Sequence, residues 1–302
     1  MSSASRDNTV GFVGLGDMGA PMAANVLKAG RPLIAYDIAP SKNERIAALG
    51  AQIASGPADV ARRACTVISM VDTTAQAEEV IVGPGGFIAG AQSGDLVISM
   101  STIDPVALRR MHETLARKGV DLIDAPVSGM DKGAKDGTLK SFVGGDAAAF
   151  ERALPLLRTM ASDITHLGAI GQGCAMKLIN NMLAQINRIV IAEALVLGAK
   201  AGLDPKKMVE LIGKATGNSA AFQIYAPRML AHDFAGSRMD ITFKDMELQT
   251  SLGKSLKVPM MMANTAQQVC QMGRAAGFGS EDGSAIVKVY EQLAGVSLAS
   301  QG

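Results

Sequence analysis

The sequence predicts a two-part α/β fold: a doubly wound, mainly parallel sheet with helices on both faces, then an all-α region, the two joined by one long helix. Three observations carry this prediction. A short apolar run from Thr9 to Val13 leads into Gly14-Leu15-Gly16-Asp17-Met18-Gly19 and then a helical pattern over Pro21 to Ala29, the order strand, glycine turn, helix. Strand-like and helical stretches then alternate as far as Val143, as in a parallel sheet covered by helices. From Gly171 to Leu203 apolar residues recur at Ile179, Leu183, Ile186, Val190 and Leu197 with no proline, a helical period over a segment of roughly 45 Å at ~1.5 Å per residue.

In the first unit, Gly14 suits the tight turn, Gly16 lets backbone approach a pyrophosphate, and Gly19 allows close contact between helix and strand. The amides around Leu15, Gly16 and Met18 would hold the phosphates at the helix N-terminus. A second apolar run, Pro32 to Tyr36, ends at Asp37, where a carboxylate can accept hydrogen bonds from an adenosine ribose. This order and spacing identify a Rossmann-type dinucleotide-binding domain.

Further strand-like runs follow at Thr66 to Val71, Asp95 to Met100, Val120 to Ile123 and Ser141 to Val143, the last of which can run antiparallel. Helical patterns lie between them at Asn43 to Leu49, Ala58 to Ala64, Ala75 to Val82 and Pro105 to Lys118. Ligands on such sheets bind beyond the carboxyl ends of the strands. Three strand ends therefore matter: Met70-Val71-Asp72, Ser101-Thr102 and Asp124-Ala125-Pro126-Val127-Ser128-Gly129.

Glycines cluster at Leu167 to Gly171, which sets the expected boundary between a dinucleotide-binding domain, 1–168, and an all-helical domain for substrate and oligomerisation, 169–302. Beyond the long helix the helical patterns are Pro205 to Thr216, Ala220 to Ala231, Lys244 to Leu256, Pro259 to Ala276 and Ser284 to Ala294. Near the start of the long helix Lys177 and Asn181 stand one turn apart on one face, so they can converge on one small molecule. That face is expected where two domains meet.

Composition narrows the function. A chain of 302 residues, 48% hydrophobic and 19% charged, has ample core for two domains. Its net charge of +1 gives no global field for nucleic acid or acidic membranes. Cys65, Cys174 and Cys270 form neither a disulfide framework nor a metal-ligand spacing; buried free thiols in a reducing cytoplasm are expected. His112, His166 and His232 show no metal-site spacing either, so no metal is expected. The N-terminal MSSASRDN reads as a frayed terminus, and no run approaches the ~20 apolar residues of a membrane span.

The strings GFVGLGDMGAPMAANVLKAG, STIDP, DAPVSG, GxGxxxKLxNN and FKD resemble the β-hydroxyacid dehydrogenase family, which includes 3-hydroxyisobutyrate dehydrogenases, tartronate semialdehyde reductases and L-threonate dehydrogenases. The family belongs with the 6-phosphogluconate dehydrogenase-like enzymes. The resemblance runs from about Val10 to Leu293 and keeps the family's motif order. It implies an NAD(P)-dependent oxidoreductase acting on the CH–OH of a small 3-hydroxy acid, and a homodimer or homotetramer associating through the helical domain.

Residue by residue, the resemblance implies that Gly14, Gly16 and Gly19 cradle the pyrophosphate and Asp37 the ribose, with Met70 and Val71 beside the cofactor. It makes Lys177 the catalytic lysine and Asn181 the substrate-orienting asparagine. Ser128, Gly129 and Met130 fall in the substrate-carboxylate loop, Thr102 lines nicotinamide and substrate, and Lys244 and Asp245 match a pair from the second domain. Three positions depart from the usual pattern: Met130 replaces a second glycine, Val71-Asp72 a frequent Leu-Pro, and Ser237 a frequent phenylalanine. They bear on the substrate rather than the chemistry.

Oxidising an alcohol by hydride transfer leaves a hydroxyl proton that the cofactor does not take, and a lysine can shuttle it. Two other readings use the same scaffold: an imine reductase, which usually replaces the lysine, and a non-catalytic dinucleotide-binding protein, which would not need Lys177, Asn181 and Ser128 together. Asp37 followed by Ile38 favours NAD over NADP, with Lys42 as the complication. Ser237, with Arg238 and Asp240 beside it, favours a polar, polyhydroxylated substrate over a branched aliphatic one.

Overall fold

The computed structural model describes residues 6–299. Nine strands form one sheet among these residues: β1 (Val10–Val13), β2 (Leu33–Tyr36), β3 (Gln52–Ile53), β4 (Thr66–Ser69), β5 (Leu96–Ser99), β6 (Asp121–Asp124), β7 (Val127–Ser128), β8 (Leu139–Gly144) and β9 (Ala161–Gly168). Their order is β3-β2-β1-β4-β5-β6-β8-β7, with β9 against β8. The strands from β3 across to β6 run parallel, whereas β8 is antiparallel to both β6 and β7. From β1 the chain steps outward to β2 and β3 and then crosses to β4 on the other side of β1, so the order reverses beside β1, where such folds bind their ligand.

The helices are α1 (Gly19–Lys28), α2 (Pro40–Ala47), α3 (Pro57–Arg63), α4 (Thr74–Val82), α5 (Phe87–Gly90), α6 (Pro105–Ala116), α7 (Met130–Asp136), α8 (Ala147–Leu157), α9 (Gln172–Lys200), α10 (Pro205–Ile212), α11 (Ala220–Ala231), α12 (Met239–Ser255), α13 (Met261–Ala275) and α14 (Ile286–Ala294). The chain divides into two compact units, 1–177 and 178–302, so the division falls inside α9 and Lys177 ends the first unit.

In the first unit successive strand residues point to opposite faces. Phe12, Ile68, Ile98 and Ile123 pack into one layer with Met22 and Leu157; Val13, Val67, Val97 and Leu122 pack into the other with Ile81 and Met111. Both faces are therefore dry, as a parallel sheet requires. Local signals set the helix starts. Thr73 and Gln76 form a reciprocal capping box before α4, and Asp104 and Asp146 cap α6 and α8.

The N-terminal expectation is corrected in part. Met1 to Ser5 lie outside the described residues, but Arg6 starts a short 3-10 turn and its guanidinium pairs with the buried carboxylate of Asp95. The thiol expectation is corrected at one position, since Cys65 is only partly buried while Cys174 and Cys270 are buried.

The second unit packs around Ile189, Leu195, Phe222, Met229, Met246 and Val287. The helix expected from Gly171 to Leu203 is α9, and the period leaves open which side of it is buried. The stripe that marks it as a helix is largely its outer face: Ile179 is 49% exposed, Leu183 60%, Val190 48% and Leu197 69%, while Leu178, Ala192 and Leu195 are buried. Both faces are apolar, so α9 is also long and apolar enough to cross a membrane, contrary to the expectation that no segment would be. Its inward face carries Gln185 and Arg188, both buried and bonded within the second unit, so it serves as a core helix there.

Candidate active site

The glycine turn is built for close approach. Gly14 has φ +95°, and a Cβ there would sit 2.2 Å from the Met70 carbonyl oxygen, while one at Gly19 would sit 2.0 Å from the Gly14 oxygen. Gly16 differs: a Cβ there would meet nothing within 4 Å, so its missing side chain leaves open space in front of the turn. Met18 precedes α1, which has no side-chain cap and no acidic residue in its first turn. Uncapped amides beside open space of this kind suit a pyrophosphate.

Asp37 is buried and fixes the loop it ends. Its Oδ2 accepts from the Leu15 amide at 2.7 Å, its Oδ1 from the Ala39 amide at 2.9 Å, and its own N–H donates to Asn43 Oδ1 at 2.8 Å. The Lys42 ammonium lies 3.5 Å from Asp37 Oδ2, and Ile38 is fully solvated.

The strand ends are knitted together. Val71 N–H donates to Ser101 Oγ at 2.8 Å and the Cys174 thiol to the Ser101 carbonyl at 3.4 Å. Thr102 follows directly, half-buried. Ser128 is in β7 opposite Lys140, Gly129 has φ +137°, and Met130 has φ +54° with its side chain exposed. A methionine thus occupies left-handed backbone that favours glycine, at the position where the resemblance leads one to expect glycine.

The sequence marks Asp124 only as a strand end, and the structure gives it more to do. Fully buried, its Oδ1 accepts from Gly171 N–H and its Oδ2 from Cys174 N–H, each at 2.6 Å. These amides lie at the N-terminal end of α9, six and three residues before Lys177. Burial pushes the carboxyl up to about 6, and the hydrogen bonds from Gly171 and Cys174 oppose that rise. Its partners lie 47 and 50 residues away in sequence, so no local motif could have announced it. Ser69, Ser99 and Asp124 share one register row, and the two serine hydroxyls are buried without a hydrogen-bond partner.

In the second unit, Asn181 Nδ2 donates to Asp245 Oδ2 at 2.8 Å, and Lys244 Nζ lies 3.3 Å from Asp245 Oδ1. Farther along α9, Gln249 donates to Gln185 at 2.7 Å, and Arg188 donates to Tyr225 Oη at 2.8 Å and Thr242 Oγ1 at 3.3 Å. Sequence reading missed this buried polar seam. Ser237 is exposed in the loop before α12. Asp240 is bound by Arg274 at 2.7 Å, so its carboxylate already has a structural partner. Among the described residues no His, Cys, Asp and Glu cluster is arranged for a metal.

A doubly wound sheet with an open glycine turn beside β1, and a helix that starts at the strand ends and carries a buried lysine, defines the class of dinucleotide-dependent oxidoreductases. Residues 9–168 match the NAD-binding domain of 6-phosphogluconate dehydrogenase, and residues 171–290 match the family described as NAD-binding of NADP-dependent 3-hydroxyisobutyrate dehydrogenase. The chain is 41% identical over 291 residues to the 2-(hydroxymethyl)glutarate dehydrogenase of Eubacterium barkeri, covering 96% of this chain and 97% of that protein. It is 36% identical over 291 residues to the mitochondrial 3-hydroxyisobutyrate dehydrogenase of Homo sapiens, covering 94% and 87%. Among solved structures, the 3-hydroxyisobutyrate dehydrogenase of Mycobacterium tuberculosis with L-serine superposes with a TM-score of 0.88 at 32% identity, covering 94% and 99%. The chain belongs to the β-hydroxyacid dehydrogenase family.

Proposed function

We propose that the chain is a nicotinamide-dependent dehydrogenase that oxidises the hydroxyl group of a small, polar 3-hydroxy acid, or reduces the corresponding semialdehyde or oxo acid. The observation that carries this reading is Lys177, buried one helical turn before Asn181 on the helix that Asp124 anchors to the strand ends. The open space at Gly16 and the uncapped start of α1 fit a dinucleotide; when bound, that cofactor supplies the hydride acceptor.

In oxidation Lys177 Nζ takes the hydroxyl proton, and in reduction it returns one to the carbonyl oxygen. Asn181 orients the reacting oxygen through its side-chain amide. Ser128 and the amides at Gly129 and Met130 hold the substrate carboxylate, and Thr102 lines the approach. Holding both ends of a short hydroxy acid makes the reaction close to unimolecular. Asp37 favours NAD, because its carboxylate accepts ribose hydroxyls and repels a 2′-phosphate.

Association of two or four copies belongs to the same proposal. Met176, Leu183, Val190 and Leu197 recur every seven residues on the outer face of α9, a seam suited to another helix. Met261 and Met262 add exposed apolar surface at the start of α13.

Two measurements test the reading. Lys177→Ala should bind cofactor as the parent does and lose ~100-fold or more in kcat; parent-like kcat overturns the role of the lysine. Values of kcat/KM for L-threonate, D-glycerate, L-serine and 3-hydroxyisobutyrate, repeated in Ser237→Phe, then decide the substrate. A clear preference for 3-hydroxyisobutyrate, unchanged in the phenylalanine variant, overturns the polar-substrate reading while leaving the dehydrogenase chemistry intact.

A further inference from the structure

We infer that Asp124 is a positioning residue for proton transfer: its carboxylate takes the place of an N-cap for α9 and thereby fixes where Lys177 stands over the strand ends. This rests on the reading of Lys177 given above.

The first turn of a helix leaves backbone N–H groups without intrahelical partners, normally satisfied by a side chain local in sequence. Here the cap comes from β6, with one oxygen on Gly171 N–H and the other on Cys174 N–H, both at 2.6 Å. A single carboxylate holding two amides fixes both the rotation and the height of the helix start. The surroundings are cut to admit it. A Cβ at Gly144 would lie 2.5 Å from Asp124 Oδ1, and one at Gly173 would lie 2.8 Å from Oδ2.

A second tether acts on the same turn, since the Cys174 thiol reaches the Ser101 carbonyl, and Ser101 Oγ in turn receives Val71 N–H. The turn that precedes Lys177 is thus tied to the ends of β4, β5 and β6, which border the region where the cofactor fits. Lys177 itself lies only one turn into the helix, too near the start for helix stiffness alone to aim it. Displacing a reacting group by about 1 Å can cost ~100-fold in rate. A carboxylate that does nothing but seat the helix can therefore control kcat.

The test is a double-mutant cycle on the holoenzyme with Asp124→Asn and Lys177→Ala. The asparagine is nearly isosteric, but its NH2 faces an N–H and cannot accept from it. We expect Asp124→Asn to lower kcat ~10-fold to ~100-fold, with the Kd for NAD changed less than about threefold. The double variant should be no slower than Lys177→Ala alone, because a residue acting through the lysine has nothing left to position.

Parent-like kcat in a folded Asp124→Asn protein, or losses that simply multiply in the double variant, overturn the positioning role. Parent-like kcat in Lys177→Ala instead overturns the reading of Lys177 itself, so the two failures are distinguishable. If Asp124→Asn does not fold, Gly144→Ala crowds Oδ1 while keeping the charge. The same cycle with that variant should show the same loss, and a parent-like kcat there overturns the proposal.

Discussion

Asn181 and Asp245 are joined by a 2.8 Å hydrogen bond in which the amide NH2 donates to a carboxylate oxygen. Because an ionised carboxylate only accepts, this contact decides which way the Asn181 amide faces. The Lys244 ammonium lies 3.3 Å from the other oxygen. Asp245→Asn removes that decision, since an amide can satisfy Asn181 in either orientation. The expected result is a fall of ~10-fold in kcat/KM for the hydroxy acid, with cofactor affinity unchanged, measured by steady-state kinetics and cofactor titration.

A preference for NAD is expected to turn on Asp37. Its two oxygens are held by the Leu15 and Ala39 amides, so the carboxylate cannot swing away from a 2′-phosphate. The parent should show kcat/KM for NAD above that for NADP by ~10-fold or more, and Asp37→Ala should narrow the gap. Comparable values for the two cofactors in the parent would refute the preference. With the carboxylate gone, Lys42, now 3.5 Å from Asp37 Oδ2, is released to meet phosphate, so Lys42→Ala in the Asp37→Ala background should restore part of the gap.

The outer stripe of α9 bears on assembly. Leu183, 60% exposed, lies in the middle of the seven-residue series, so Leu183→Glu would set a charge in any helix seam formed there. Light scattering at micromolar concentration should show a dimer or tetramer for the parent and a smaller species for the variant. A parent that is already monomeric refutes the assembly.

Stability should depend on pH through Asp124 in a definite direction. Burial raises its carboxyl from the ordinary 3.8 to about 6, so the folded state holds this proton more tightly than the unfolded chain. The stability so gained is fully present below pH 3.8 and is lost as pH rises through about 6. Asp124→Asn cannot titrate and lacks this component. The Tm of the variant relative to the parent should therefore be lowest below about pH 4 and recover by about pH 8; a Tm difference independent of pH would refute the assignment.

The chain was legible where structure is local. Strand runs such as Thr66 to Val71, the glycine turn, the proline-led helices at Pro105 and Pro205 and the switch to all-helical sequence after α9 all announce themselves. The missed elements lack such signals. The polar, largely uncovered β9 does not alternate cleanly, α8 carries Pro155, α7 has a glycine in its middle, and β3 and β7 have two residues each. On α9 the period was legible but the buried side was not, because a helix apolar on both faces offers two stripes with the same spacing. The site residues named by motif lay in sequence order. The Asp124 cap and the Gln185–Gln249 bond depend on chain segments brought together from 47 to 64 residues apart, which no spacing rule reaches.

The cap on α9 also changes how a pH–rate profile of this enzyme is to be read. Protonating Asp124 turns one acceptor oxygen into a hydroxyl that must donate, opposite an amide that also donates, with the Cys174 thiol as the titratable group in contact with it. An acid limb in kcat near pH 6 would then report the seating of a helix and not the ionisation of the amine it carries. Only a limb that survives in Asp124→Asn belongs to the proton carrier.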